Sequence, residues 1–310
     1  MMTTQLKTEE FCALQTLNAA EPLYGTAAAE KSIWFLLEYN DPWAHSAQDQ
    51  NNLPAEVQQW FKDQLSQTPQ SEWLFIRQEK RPTYATIRFF IAISRESDQR
   101  LYAFEFETAA QVMELDVAAA VAGDDAYDQY LSEQTLFLVC TNGKRDQCCA
   151  KFGRPIYRAM YDASTDTAEN PVWQTTHIGG HRYAPTLAVL PQGVFYGQVT
   201  TDTAAKLMTL SHNHEIYLDH YRGRTCYMEV QQAADYYLRQ RTGRLELDAF
   251  QVQSTTQEGD GWRIVFEEPD QNKTYTLTVR MTFSEPVLAS CTNMKSKPRP
   301  LYQLLSYDAT

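Results

Sequence analysis

Two short segments hold residue types that can bind a metal or a cluster. CTNGKRDQCCA runs from Cys140 to Ala150, and THIGGHRYAPT runs from Thr176 to Thr186. In the first, eight residues separate Cys140 from Cys149; in the second, His177 and His181 bracket Ile178, Gly179 and Gly180. Histidines four apart share one face of a helix, as in HExxH zinc proteases. Here two glycines would cost a helix about 1 kcal/mol each, and no glutamate lies between the histidines to serve as a base. A loop is expected instead, with Gly179 and Gly180 curling the backbone so that both imidazoles converge.

Cys140 is expected to end a strand and Cys149 to open a helix. Unpaired N–H groups and the dipole at a helix start favour thiolate, and Lys144 and Arg145 add positive charge nearby. A thiolate binds metal, but it is also a redox nucleophile, so these features leave the chemistry open. Two sulfurs and two nitrogens suit tetrahedral zinc. They equally suit a Rieske-type [2Fe–2S] cluster with cysteines on one iron and histidines on the other. A third reading is a thiol–disulfide oxidoreductase using Cys140, Cys148 and Cys149, although the usual C-x-x-C spacing is missing.

The double motif, C-x8-C followed by H-x-G-G-H, resembles the sucrase/ferredoxin-like family, also described as thioredoxin-like ferredoxins with bis-histidine ligation. The resemblance extends to GKRDQCCAKFGRP, VWQTTHIGGHRYAPTLAVLPQGVFYG, EPLYGTA and YRGRTCY, and spans roughly residues 10–245. It implies an electron carrier in which Cys140 and Cys149 bind the iron that stays ferric, and His177 and His181 bind the reducible iron. Cys148 adjoins a ligand position, and a one-residue slip would exchange it for Cys149. Cys149 keeps the eight-residue interval, and Cys148 is read as a buried thiol. Arg145, Asp146, Gly179, Gly180 and Arg182 are expected to orient the ligand loops, with Asp146 also capping the following helix.

Charge counting gives this ligand set its chemical sense. Neutral imidazoles in place of two thiolates should raise the reduction potential, as in Rieske centres at roughly −150 to +300 mV against about −400 mV for plant-type ferredoxins. Each ligating imidazole keeps a second N–H, so reduction and protonation should favour one another. The family name carries no glycosidase implication, because glycoside hydrolysis needs two positioned carboxylates and no such pair stands out.

Several elements must position these loops. WFLLEY (34–39), EWLFIRQ (from Glu72), ATIRFFIAI (85–93) and LYAFEF (101–106) read as strands, with PAEVQQWFKDQL (54–65) as a helix. TAAQVMELDVAAAVAG (108–123) reads as one Ala-rich helix closed by glycine. The order then recurs: strand TLFLVC (135–140), a helix from about Cys149 to Ser164, strands PVWQTT (171–176), TLAVL (186–190) and VFYGQV (194–199), and helix DTAAKLMTL (202–210). The expected fold class is α/β (α+β): a thioredoxin-like mixed sheet flanked by helices, two such units in tandem, plus a small C-terminal β-rich segment. Boundaries are expected at 1–125 for a scaffold without ligands, 130–220 for the cluster-bearing unit, and 221–310 for a helix with antiparallel strands. In the last part, QQAADYYLRQR (231–241) reads as a helix, while LELDAFQVQ (from Leu245), WRIVFEE and TYTLTVRMTF read as strands. The tail CTNMKSKPRPLYQLL, with two prolines, reads as irregular until its last turn.

The 310 residues carry a net charge of −12, all of it in the first 220; residues 221–310 hold 11 basic against 11 acidic groups. An acidic surface argues against nucleic acid and suits a partner with a basic docking face. No stretch approaches the ~20 apolar residues of a membrane span, and the acidic N-terminus lacks a secretory pattern. A cytoplasmic location follows, where cysteines stay reduced. No phosphate loop or dinucleotide fingerprint is present, so electrons are expected from a separate reductase and to pass to a separate acceptor. Cys12, Cys226 and Cys291 are isolated in sequence and read as ordinary thiols. The histidines of SHNHEIYLDH (211–220) read as a polar helix end.

Overall fold

The computed structural model describes residues 11–79, 86–164, 170–292 and 295–310. The N-terminal segment read for a secretory signal therefore lies mostly outside the described residues, as does Ala85. Helix α1 (Cys12–Asn18) precedes strand β1 (Ile33–Glu38), helix α2 (Ala55–Gln67) and strands β2 (Ser71–Arg77), β3 (Ile87–Ser94) and β4 (Gln99–Phe106). The stretch 108–123 is not one helix. A 3-10 turn (Ala109–Glu114) stops at Leu115, and a separate α3 (Val117–Ala122) begins where the Asp116 carboxylate accepts the Ala119 N–H. Aspartate competes for backbone donors in this way and starts helices rather than continuing them.

The second half runs β5 (Leu136–Cys140), α4 (Gln147–Ala163), β6 (Val172–Thr175), β7 (Thr186–Leu190), β8 (Val194–Gly197), α5 (Thr201–His212) and β9 (Tyr221–Arg224). These nine strands form one mixed sheet in the order β4-β3-β1-β2-β6-β5-β7-β8-β9. Each half follows one pattern. β1 and β2 are parallel, with β3 antiparallel to β1 and β4 antiparallel to β3. Likewise β5 and β6 are parallel, with β7 antiparallel to β5 and β8 antiparallel to β7. The halves meet edge to edge through the antiparallel pairs Ile76↔Thr175 and Arg77↔Gln174.

Alternation explains why the strands read as unbroken apolar runs. Ile33, Phe35 and Leu37 pack with Val57 and Phe61 of α2 on one face. Trp34 and Leu36 point the other way and join Leu136, Leu138, Cys140, Trp173 and Phe195 in a core shared by both halves. Both faces are buried, so neither needs polar residues. Cys140 thus sits on the inner, shared face.

The C-terminal part places α6 (Glu229–Thr242), closed by a left-handed Gly243, against a four-stranded antiparallel sheet. Its strands are β10 (Gln251–Glu258), β11 (Gly261–Glu268), β12 (Lys273–Phe283) and β15 (Pro300–Ala309), in that order, with a two-stranded β13 (Val287–Leu288) and β14 (Ser296–Lys297) between the last two. Two expectations are corrected here. The strand expected from Leu245 starts at Gln251, and the tail is not irregular but ends in a ten-residue strand. Pro300 is tolerated because it is the first residue of a terminal strand, where a missing N–H costs little. Asn293 and Met294 of that tail lie outside the described residues. Among the described residues, no helix is long and apolar enough to cross a membrane.

Candidate metal centre

Strand pairing brings the two motifs together. Cys140 ends β5 and is paired in parallel register with Thr175 of β6. The chain leaves both strands at the same end of the sheet, so the cysteine loop and the histidine loop start side by side. That is where open α/β sheets place ligands. Thr176, next before His177, is clamped by the first half: its N–H donates to the Phe75 carbonyl at 3.0 Å and its hydroxyl accepts the Phe75 N–H at 3.1 Å.

From Cys140 the chain turns through Thr141–Arg145 into α4. Asp146 is the cap, its Oδ1 accepting the Cys148 N–H at 2.9 Å. Cys149 lies in the first turn, and α4 packs tightly on the end of β5. A Cβ on Gly153 would stand 2.2 Å from the Cys140 carbonyl oxygen, so only glycine permits this approach. The result is that Cys140, Cys149 and His177 each offer a donor atom, and these three atoms all lie within 4.8 Å of one another. His177 Nδ1 is 4.0 Å from Cys149 Sγ.

His181 completes the motif from the other side of the glycine pair. Its ring centroid is 5.3 Å from that of His177. Its Nε2 bonds the Ala289 carbonyl at 2.9 Å, so Nε2 carries the hydrogen. Nδ1 is then the bare nitrogen, and it is buried with no hydrogen-bond partner. A buried acceptor without a donor is costly in a finished protein, so this atom is suited to a metal. The residues fit a metal or cluster on that ground.

The electrostatics agree with a thiolate-bearing site. A hydrogen bond from Cys149, with help from His177 and the Asn142 N–H, holds Cys140 well below the usual thiol range despite its burial. The donating Cys149 is pushed well above that range by Cys140 and by burial. Burial pushes His181 down, against the pull of Asp146, whose Oδ2 lies 3.8 Å from its Nε2. Both cysteines are 1% exposed, whereas the His181 side chain is 21% exposed. The imidazole side of the site is the one that meets solvent.

The glycine pair shapes the histidine loop. Gly179 and Gly180 both adopt left-handed backbone, and a Cβ on Gly180 would overlap the Arg222 guanidinium at 2.2 Å. Arg222, almost wholly buried, braces the loop by donating to the Gly179 carbonyl at 3.3 Å and to the hydroxyl and carbonyl of Thr26. Burial pushes its guanidinium down to about 10. Arg222 was not among the candidate residues, because only the fold brings it to Gly180.

The other supporting residues divide. Arg182 ion-pairs with Glu21 and donates to the Thr16 hydroxyl at 3.2 Å, tying the loop to the N-terminal segment. Arg145 reaches His45 Nδ1 at 3.3 Å in the loop after β1. The chain's acidity is reversed locally, since Arg77, Lys144 and Arg154 line a cleft of about 740 Å³ beside the cysteine loop. Two histidines of 211–220 bond backbone carbonyls, His212 that of Met208 and His220 that of Gly197.

A family model described as sucrase/ferredoxin-like matches residues 23–223. The chain belongs to the sucrase/ferredoxin-like family. The match covers both halves of the nine-stranded sheet almost completely and ends inside β9. No curated protein and no solved structure matches the chain.

Cys148 is a buried free thiol, as read, but it has two cysteines beside it, and Cys12 and Cys291, isolated in sequence, are not isolated in the fold. Cys148 Sγ lies 3.4 Å from Cys12 Sγ and 3.3 Å from Cys291 Sγ, and Cys291 Sγ is 3.6 Å from Cys12 Sγ. The sequence gaps are 136, 143 and 279 residues, so no local spacing announces this cluster. Hydrogen bonds from Cys12 and Cys148 push Cys291 down to about 3.

Proposed function

We propose that this chain is an electron-transfer protein holding one [2Fe–2S] cluster, with Cys140 and Cys149 on one iron and His177 and His181 on the other. The observation that carries the reading is the donor arrangement. Two buried sulfurs and His177 group within 4.8 Å, and the His181 ring, its Nδ1 buried without a partner, lies 5.3 Å from that of His177. The same two sulfurs and two nitrogens suit a single tetrahedral zinc, which is the second reading; membership of a ferredoxin-like family favours the cluster.

When bound, the cluster supplies one-electron exchange at a potential that imidazole ligands raise above that of all-thiolate ferredoxins. The protein's own residues do the rest. Ala289 holds the His181 proton on Nε2, so Nδ1 is the nitrogen left free to bind. Cys140 and Cys149 are held in the buried core, away from water. Each imidazole that binds through one nitrogen keeps an N–H on the other, which couples the electron to a proton. Electrons come from a separate reductase and go to a separate acceptor.

Anaerobic purification tests the proposal. A red-brown chain with equal iron and sulfide, and a reduced-state EPR signal that shows nitrogen coupling, is expected. A colourless chain with one zinc at these four residues would replace it with the second reading.

A further inference from the structure

We infer that Cys12, Cys148, Cys291 and Asp146 form a second metal site, separate from the first, which takes one zinc ion. Three sulfurs bound to one tetrahedral zinc at about 2.3 Å stand about 3.8 Å apart. The three here stand 3.3, 3.4 and 3.6 Å apart, so a few tenths of an ångström separate the observed triangle from a zinc-binding one. An Asp146 carboxylate oxygen completes the set, and the four donors lie within 4.8 Å of one another. All four residues are buried.

The surroundings are built for such a site. Asp146 accepts the Cys148 N–H through Oδ1 and the Cys291 N–H through Oδ2, each at 2.9 Å, so the carboxylate positions two of the residues it would bind beside. The Cys12 N–H points at Cys291 Sγ, 3.3 Å away, as donors to zinc-bound sulfur do. Phe11, Ala13, Ala184 and Leu288 wall the cluster with apolar surface, which keeps competing water out. A disulfide would join only two of the three sulfurs and strand the third.

The site would fasten together α1, the start of α4 and the segment between β13 and β14. That segment carries Ala289, whose carbonyl fixes the hydrogen of His181. Cys148 and Cys149 are consecutive in α4, yet serve different groups.

The experiment uses the full chain, produced with iron and zinc both supplied. Zinc content and the zinc X-ray absorption spectrum are measured for the wild type and for Cys12→Ser/Cys291→Ser. The wild type should hold one zinc per chain, with three sulfurs at about 2.3 Å and one oxygen at about 2.0 Å. The double variant should lose at least tenfold of it with the visible absorption of the first site unchanged. Wild type free of zinc, an imidazole in the zinc shell, zinc retained by the variant, or a disulfide among the three thiols would overturn the site. Should the variant fail to fold, the wild-type spectrum decides alone. A chain with zinc here and no iron would refute the cluster but not this site.

Discussion

The Asp146 carboxylate accepts the backbone N–H of Cys291 at 2.9 Å across 145 residues of sequence. The same side chain caps α4 through Cys148, so one buried group serves two distant segments. Asp146→Ala leaves both N–H groups without a protein partner and should cost about 2–4 kcal/mol in denaturant unfolding. Asp146→Asn, which keeps one acceptor oxygen, should cost less. A loss below about 0.5 kcal/mol for the alanine variant would show that water replaces the carboxylate at no cost.

Exchanging the imidazoles for thiolates should act on potential rather than on fold. His177→Cys/His181→Cys is expected to keep a cluster while its potential falls toward about −400 mV. The pH dependence of the wild-type potential should flatten in the same variant. Protein-film voltammetry reads both, and an unchanged potential would remove the histidines from the centre.

The two glycines of the histidine loop should respond differently. Gly180→Ala drives a methyl group into Arg222, whereas at Gly179 a Cβ meets open space and only the left-handed backbone is strained, by about 1–2 kcal/mol. Iron bound per chain should therefore fall several-fold for Gly180→Ala and little for Gly179→Ala. Equal losses would mean that backbone strain, not the Arg222 contact, shapes the loop.

Acid should destabilise the fold partly through His220. Burial holds its ring below the ordinary histidine value, against the pull of the Gly197 carbonyl and Asp219. The unfolded chain takes up this proton first as pH falls. The stability is therefore complete above about pH 6.5 and is lost as pH drops through the folded pKa. His220→Gln should shrink the difference between urea midpoints at about pH 7.5 and about pH 5.5. An unchanged difference would assign the acid sensitivity to other groups.

Local pattern carried much of this architecture. The runs at 34–39 and 135–140 marked β1 and β5, the first strand of each half, and Gly123 and Gly243 marked helix ends that the fold closes in left-handed turns. Cys140, Cys149 and His177 meet because neighbouring parallel strands deliver them to one end of a sheet. What stayed hidden depends on distant partners. Nothing near Cys12 or Cys291 points to Cys148, and nothing near Arg222 points to Gly180. The tail strand was masked by prolines whose tolerance depends on being at the sheet's margin. Asp116 broke an Ala-rich helix through one side-chain bond that periodicity does not register.

The seam between β2 and β6 gives the ligand-free half a purpose. Among the described residues two ladder pairs join the strands there, and they cover a margin of β6 that would otherwise offer bare amide and carbonyl groups to any passing strand. A fragment trimmed to the half that bears Cys140 and His177 would display that margin two residues from His177, and it should stick to its own copies. The first half thus acts as a permanent guard, which allows the cysteine and histidine loops to sit at the end of β5 and β6 without leaving an adhesive margin beside them.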